Sequence, residues 1–509
     1  DWLLVAGAVL LALVVRLLAG PRTIDDAYIT FRYARNLAQG LGFVYNPGQA
    51  VLGTTTPVYT ILMSVAWLFG LHNLPAVALG INTLADAGTV WLLYWLGLRL
   101  GRSRIVALGA ALAWALSPMS VTFALGGMET EVVIFLLVAS FAAYVAGRSR
   151  LSAAAMALAV LTRPDALIAA ALLFADMGLR PLLARDGGPL AARLKRLPWA
   201  EVAIFCLLLL PWILFATAYF GSPLPQSVQA KVHAYHLEPF SALIRFLQHL
   251  STPFFEHEVF GRFWPAVGLI LYLVLYLIGG LRQVRRLGRA LPQILYPLVY
   301  VVLFSAANPL IFRWYLAPLL PFYLLGILIG LYSLLTDLAR RLGRERSGAW
   351  ATGLVIALLL LSSLNAYTLQ PDHGPGRPAP EMAWFKLELL YRQAAEWVRP
   401  RLEAGDVIAA GDIGAVGWYS GAPILDTVGL ISPQAVPYYP LDPSLLVITY
   451  AMSPELIQDL QPEYIIALEV YVRRSLLSAP WFQEAYTLAH RLDTDIYGSD
   501  GMLIFERNR

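Results

Sequence analysis

The chain has 509 residues, of which 58% are hydrophobic and only 14% charged, with a formal net charge of +4. Soluble globular proteins run near about 25% charged residues, so this composition excludes an ordinary soluble domain and indicates a polytopic α-helical membrane protein. A single cysteine, Cys206, excludes an internal disulfide, and nothing in the sequence suggests a nucleic-acid partner.

Asp1 is not an initiator, so a short preceding cytoplasmic segment is expected. Crossing a bilayer takes about 20 apolar residues. On that measure the sequence predicts about eleven spans, near residues 2–20, 75–98, 104–118, 129–147, 151–164, 165–180, 199–220, 263–281, 291–307, 314–336 and 349–367. The first is too long to be a cleaved signal. The stretch from Val58 to Leu71 is shorter and could span or lie in the interface.

Charge separates these two options. Arg99, Arg102 and Arg104 share one connection; Arg148 and Arg150 share another. Further along come Arg180, Arg185, Arg193, Lys195 and Arg196, then Arg282, Arg285, Arg286 and Arg289, then Arg340, Arg341, Arg344 and Arg346. With an amino terminus inside, all these clusters fall on the cytoplasmic side if Val58 to Leu71 is interfacial. The expectation is therefore a multi-pass protein of the plasma (inner) membrane. Residues 1–367 would form the membrane domain, with residues 21–74 as its first external loop.

The segments left outside hold nearly all the candidate chemistry. Asp25 and Asp26 follow the first span directly, where a carboxylate could take a proton from a substrate. Adjacent residues on a helix cannot both face one pocket, so Asp26 is favoured as the base. The alternative is that one of them caps the helix running from Ala27 to Gln39. Free nucleotide-activated donors are not expected on the outer face, whereas a donor carried on a membrane lipid would be at hand.

A leaving phosphate would need cations shielded from water. Lys231, Arg313 and Arg163 are the candidates, each also readable as an interfacial anchor. Arg163 could instead pair with Asp165 or Glu129. Glu129, at the outer start of a span, could bind sugar hydroxyls, hold a cation or satisfy a helix amino terminus. His233, His236, His249 and His257 gather in an external loop with Glu256 and Glu258, but their spacing fits no compact metal-ligand set. No cofactor is required, although a divalent cation is allowed. Asn82 and Asp86 sit on adjacent turns of the second span, where contacts between helices are the simpler explanation. Arg16 would pair with Asp86 or snorkel.

After Tyr367 the composition changes. Residues 368–380, rich in proline and glycine, read as a linker. Residues 381–509 read as a small extracytoplasmic α/β domain, with a helix from Glu381 to Leu402 and strands at 406–410, 463–468 and 502–505. Gly411-Asp412-Ile413-Gly414-Ala415-Val416-Gly417 spaces its glycines as GxxGxxG, not GxGxxG, which argues against dinucleotide binding. Asp412 and Asp426, near Trp418 and Tyr419, could contact an acceptor sugar or fix the turn.

Several of these segments together carry a family resemblance. They are Asp25 to Leu37 with Gly40 to Gly48, Gly126-Gly127-Met128-Glu129-Thr130, Leu161-Thr162-Arg163-Pro164-Asp165, Gly221 to Gln226 with Ala230-Lys231, Arg313-Trp314-Tyr315, and Gly411 to Tyr419. In this order they resemble polyprenyl-phosphate-sugar-dependent glycosyltransferases of the GT-C fold. They are most similar to the branch of the mycobacterial terminal arabinofuranosyltransferases and their uncharacterised bacterial relatives. Met128 stands where relatives often have Leu, and Gln226 where they have Asn. Leu52-Gly53-Thr54 lacks the aromatic or acidic neighbour expected beside the glycine.

The resemblance implies an inverting transfer of a sugar from a polyprenyl-phosphate donor to a hydroxyl of a glycan, glycolipid or protein. Asp26 and Asp25 would be catalytic, and Lys231, Arg313 and Arg163 would bind the donor phosphate. Glu129, Tyr33, Asp165, His233 and Tyr315 would contact substrate. A transporter or lipid flippase is the rival, but the charges gather on one outer face and no internal repeat is visible.

Overall fold

The computed structural model describes residues 2–183, 189–367 and 383–508. The expected linker at 368–380 lies outside the described residues, as do Asp1, Arg185 and Glu381.

Among the described residues seven helices are long and apolar enough to cross a membrane: Trp2–Ala19, Leu74–Gly101, Trp199–Phe220, Trp264–Arg286, Gly288–Ala307, Leu320–Arg341 and Ser347–Ala366. The helices Arg104–Ala115 and Pro118–Leu125 together give an eighth, bent by 44°. Pro118 lacks the N–H that would carry the first helix through. The remaining expected spans exist as helices of 16, 14 and 16 residues, Thr130–Val145, Ser149–Thr162 and Leu167–Leu182, shorter than the length a perpendicular crossing needs. The span expected from residue 314 begins instead at Leu320, after a single 3₁₀ turn at Arg313–Tyr315. Val58 to Leu71 forms a helix, Pro57–Leu68, of only 12 residues.

Arg16 and Asp86 pair inside the bundle, and both are fully buried. Trp114 also donates to Asp86, and Arg16 donates to Ser120 at 2.7 Å and to the Ala115 carbonyl at 3.0 Å. One network thus ties four helices together, and the pairing is how its buried charges are tolerated. Arg16 does not snorkel. Asn82 joins a second contact, donating to the Met128 carbonyl at 2.8 Å.

The C-terminal domain is built on a five-stranded mixed sheet. Its strands are β1 (Ile408–Ala410), β2 (Ile424–Asp426), β3 (Tyr464–Leu468), β4 (Tyr486–Leu492) and β5 (Met502–Arg507), in the order β2-β1-β3-β5-β4. β1 is parallel to β2 and to β3, while β5 runs antiparallel to β3 and β4. The helix Ala383–Val398 packs on the short helix Gly414–Ser420 and on Asp25–Ala38.

The helix Asp25–Ala38 is the seam between the two parts. It carries two acids in its first turn, favourable at a helix amino terminus. Its Arg32 donates to the carbonyls of Gly417 and, at 2.8 Å, Ala422, while Tyr28 and Tyr419 share a hydroxyl hydrogen bond of 2.8 Å. A Cβ on Gly414 would lie 1.8 Å from the Asp25 carbonyl oxygen, and one on Gly417 1.9 Å from the Tyr45 hydroxyl. The GxxGxxG segment is therefore a close-packing surface that lets one backbone meet another.

Candidate active site

Beneath this seam lies a cavity of about 740 Å³. Asp26, Glu129, Arg163, Asp165, Lys231 and Tyr315 all line it. These residues come from segments far apart in sequence, each held by local structure.

Asp25 and Asp26 occupy successive positions of one helix and so point apart. Asp26 lines the cavity. Asp25 turns to the C-terminal domain, where its carboxylate accepts the backbone N–H groups of Gly414 at 2.8 Å and Ala415 at 2.7 Å. The expected alternative, capping of its own helix, does not occur, because Ile24 is the N-cap and its hydrocarbon side chain has no acceptor. Burial raises the Asp26 carboxyl above the usual aspartate value, while Lys231 acts in the opposite direction.

Glu129 reaches the cavity from the loop before Thr130–Val145. Gly127 there has φ +77°, and a Cβ would press on Phe31 and Thr23 at 3.3 Å. Tyr59, on the short helix Pro57–Leu68, donates to the Gly127 carbonyl at 3.0 Å and ties the loop to that helix.

Arg163 is compensated by its own surroundings. It donates to both oxygens of Asp165 at 3.1 and 3.0 Å and to the Trp314 carbonyl at 3.2 Å, and Glu129 lies 3.9 Å away. Tyr300 donates to Asp165 at 2.9 Å, and the Tyr315 ring lies 5.0 Å from the guanidinium. This two-point pair is the structural alternative weighed for Arg163.

Lys231 contrasts with it. Among the described residues Lys231 forms no ion pair and no hydrogen bond within the usual limits, and its ammonium lies 5.1 Å over the Phe312 ring. Burial opposes its charge, but Tyr315 and Asp26 outweigh burial and hold its pKa above the ordinary lysine value. Asp26 and Lys231 thus face one space without closing on each other.

Other expected residues sit elsewhere. Tyr33 is buried behind the wall, donating to the Val51 carbonyl at 2.7 Å and accepting from the Gly53 amide at 2.9 Å. It shapes the loop that lines the cavity rather than meeting its contents. Arg313, in its 3₁₀ turn, and the exposed His233 are not at the wall. The loop histidines do not converge, and among the described residues no group of three metal-type ligands forms.

Two residues escaped the sequence reading. Ser227 lines the cavity with a buried hydroxyl that has no partner among the described residues. It directly follows Gln226, the end of a noted motif. Tyr235 also lines the cavity and packs on Phe312 at 6.5 Å.

Residues 382–505 match the family described as a domain of unknown function (DUF8728). A stretch of 118 residues, 22% of this chain, is 36% identical to the terminal beta-(1->2)-arabinofuranosyltransferase of Mycobacterium tuberculosis. That match spans 19% of the relative's length. The solved ArnT of Cupriavidus metallidurans bound to undecaprenyl phosphate superposes with TM-score 0.54 at 14% identity, covering 99% of this chain and 97% of that one. The archaeal oligosaccharyltransferase AglB of Archaeoglobus fulgidus, in complex with an inhibitory peptide and a dolichol-phosphate, gives TM-score 0.57 at 13% identity over 95% and 72%. Both neighbours are GT-C glycosyltransferases.

The chain has a GT-C fold. In it the helix Asp25–Ala38 carries the acidic pair, and the C-terminal α/β domain closes over the GT-C membrane bundle.

Proposed function

We propose that this protein is a membrane glycosyltransferase. It moves a sugar from a polyprenyl-phosphate carrier to an acceptor hydroxyl, with inversion, on the outer face of the membrane. The observation that carries this reading is the placement of Asp26 and Lys231 on one cavity without an ion pair between them. A carboxylate with a raised pKa and an uncommitted ammonium are what attack by a hydroxyl and departure of a phosphate each require.

In the proposed step the acceptor O–H proton passes to Asp26 as the oxygen attacks the anomeric carbon. The bond from that carbon to the phosphate oxygen breaks, and its electron pair stays with the phosphate. Lys231 neutralises the charge gained there, and the hydroxyl of Ser227 is placed to donate a hydrogen bond to the same group. Arg163, already paired, holds the wall in shape and adds little net charge. No metal or cofactor enters this step. The undecaprenyl phosphate and dolichol-phosphate named with the two GT-C neighbours support a lipid phosphate as the leaving group.

Purified protein in detergent, given a panel of radiolabelled polyprenyl-phosphate sugars, should release free polyprenyl phosphate from one of them and form a product of opposite anomeric configuration by NMR. Release from none, or retention of configuration, would contradict the proposal.

A further inference from the structure

Asp25, Tyr28 and Arg32, spaced i, i+3 and i+7, all reach the C-terminal domain, so one face of the helix Asp25–Ala38 is its docking face. Asp25 accepts the amides of Gly414 and Ala415, and Arg32 donates to the carbonyls of Gly417 and Ala422. Those partners are backbone groups, whose charge does not change. Tyr28, between the two, has a different partner. Its hydroxyl donates to the Glu388 carboxyl at 3.0 Å and, with its one proton used there, accepts from Tyr419 at 2.8 Å.

Glu388 lies on the helix Ala383–Val398 and is only 3% exposed. Among the described residues it forms no ion pair. Arg392, one turn along the same helix, is paired with Glu396 at 2.8 Å and lies 4.8 Å from the Tyr419 ring. From the facing helices come the hydroxyls of Tyr28 and Tyr419, and among the described residues β5, which also packs on this helix, adds no charge that acts at Glu388. Burial pushes the Glu388 carboxyl up to about 7, with Glu396 adding to the rise, against the Tyr28 hydrogen bond and the Arg392 charge.

We propose that Glu388 is a proton-operated latch on the seam between the C-terminal domain and the helix that carries Asp26. Protonated, it stays buried against Tyr28 and the domain closes on that helix. Ionised, it is better solvated by water than by the Tyr28 hydroxyl, and the seam opens more often. The proton comes from bulk water and returns to it. In the open seam the hydrated carboxyl goes back to its ordinary value, 4.5. The grip is therefore complete below 4.5 and is lost as pH rises through about 7. The latch belongs to the joint between the two parts and stands apart from the transferase reading, although the helix it grips is the one that positions Asp26.

The test is backbone hydrogen exchange of the full-length protein in detergent, read in the helices Ala383–Val398 and Asp25–Ala38 on the two sides of the seam. Each variant is compared with wild type at the same pH, so the intrinsic pH dependence of exchange cancels. Glu388→Gln keeps the shape and an acceptor for Tyr28 but has no proton to lose. At roughly pH 7.5 it should open roughly ten- to hundredfold less often than wild type, and at roughly pH 5 the two should agree within about fivefold. Tyr28→Phe should open roughly three- to tenfold more often than wild type at both values, the loss of a hydrogen bond. A purely structural role would change Glu388→Gln by the same factor at both pH values, and that result overturns the inference. So does exchange that changes in Ala383–Val398 alone, the mark of one helix fraying, or Tyr28→Phe that exchanges like wild type.

Discussion

Asp25 accepts the backbone N–H of Ala415 at 2.7 Å, a contact that joins positions 390 residues apart. It turns one member of an acidic pair into the anchor of the C-terminal domain. Because neighbouring helical residues diverge, it also directs Asp26 into the cavity. One acid holds the roof while the other faces what lies beneath.

Removing the anchor should loosen the roof. Asp25→Ala leaves the amides of Gly414 and Ala415 buried without acceptors, a cost of about 1–3 kcal/mol. Gly414→Ala acts on the same joint from the other side, since the new methyl would collide with the Asp25 carbonyl. Both variants should unfold at lower temperature and release the C-terminal domain faster under limited proteolysis.

Lys231→Met should raise the KM for the lipid-phosphate donor by roughly ten- to hundredfold, the loss expected of a charge-assisted contact. Lys231→Arg should recover part of it. Steady-state kinetics at varied donor concentration would show this. With Lys231 meeting the phosphate, chelation by EDTA should leave turnover unchanged, and a loss restored by Mg²⁺ or Mn²⁺ would count against that role.

Asp165→Asn should be destabilising out of proportion to its size. It leaves the buried Arg163 with Glu129 at 3.9 Å as its remaining carboxylate, and breaking a buried pair from one side costs about 3–5 kcal/mol. Thermal unfolding in detergent would measure it, and activity should fall with the folded fraction.

The pH profile of transfer follows from burial of the acids. A general base must be ionised, and Asp26 titrates above the ordinary aspartate value, so the acid limb should lie at higher pH than for an exposed aspartate. Asp412 has its own signature. Burial pushes it up to about 6, against its hydrogen bond from Tyr391. The folded state then binds this proton more tightly than the unfolded chain. Its contribution to stability therefore grows as pH falls from 7 through about 6 toward the unfolded value, 3.8. Asp412→Asn should remove that increment, as seen by comparing melting temperatures at roughly pH 7.5, above the window, and roughly pH 5, inside it.

The legible part of this molecule was what a local pattern encodes. Apolar runs gave the helices, though not their breaks, because Pro118 bends a span and the 3₁₀ turn at Arg313 delays another. The motifs marked the chain segments that meet at the cavity, Asp26, Glu129, Arg163 and Lys231 among them. The division of labour within them was not legible. Asp26 was favoured over Asp25, but no local feature accounts for their separate roles, since the difference is an amide near residue 415. Arg163 and Lys231 are both external cations, and only the fold supplies one with Asp165 in two-point contact and leaves the other apart. β2 and β4 were missed, the first a strand of three residues, the second with a single fully buried residue and so no apolar run to mark it.

The most direct test compares Asp26→Asn with Asp25→Asn in a transfer assay using the polyprenyl-phosphate sugar that the wild type consumes, with donor binding measured alongside. Asp26→Asn should lose about 10²–10⁴-fold in turnover while still binding donor, and Asp25→Asn should lose stability first and keep measurable transfer in its folded fraction. Full turnover by Asp26→Asn, or the larger chemical defect in Asp25→Asn, would contradict the assignment of Asp26 as the base.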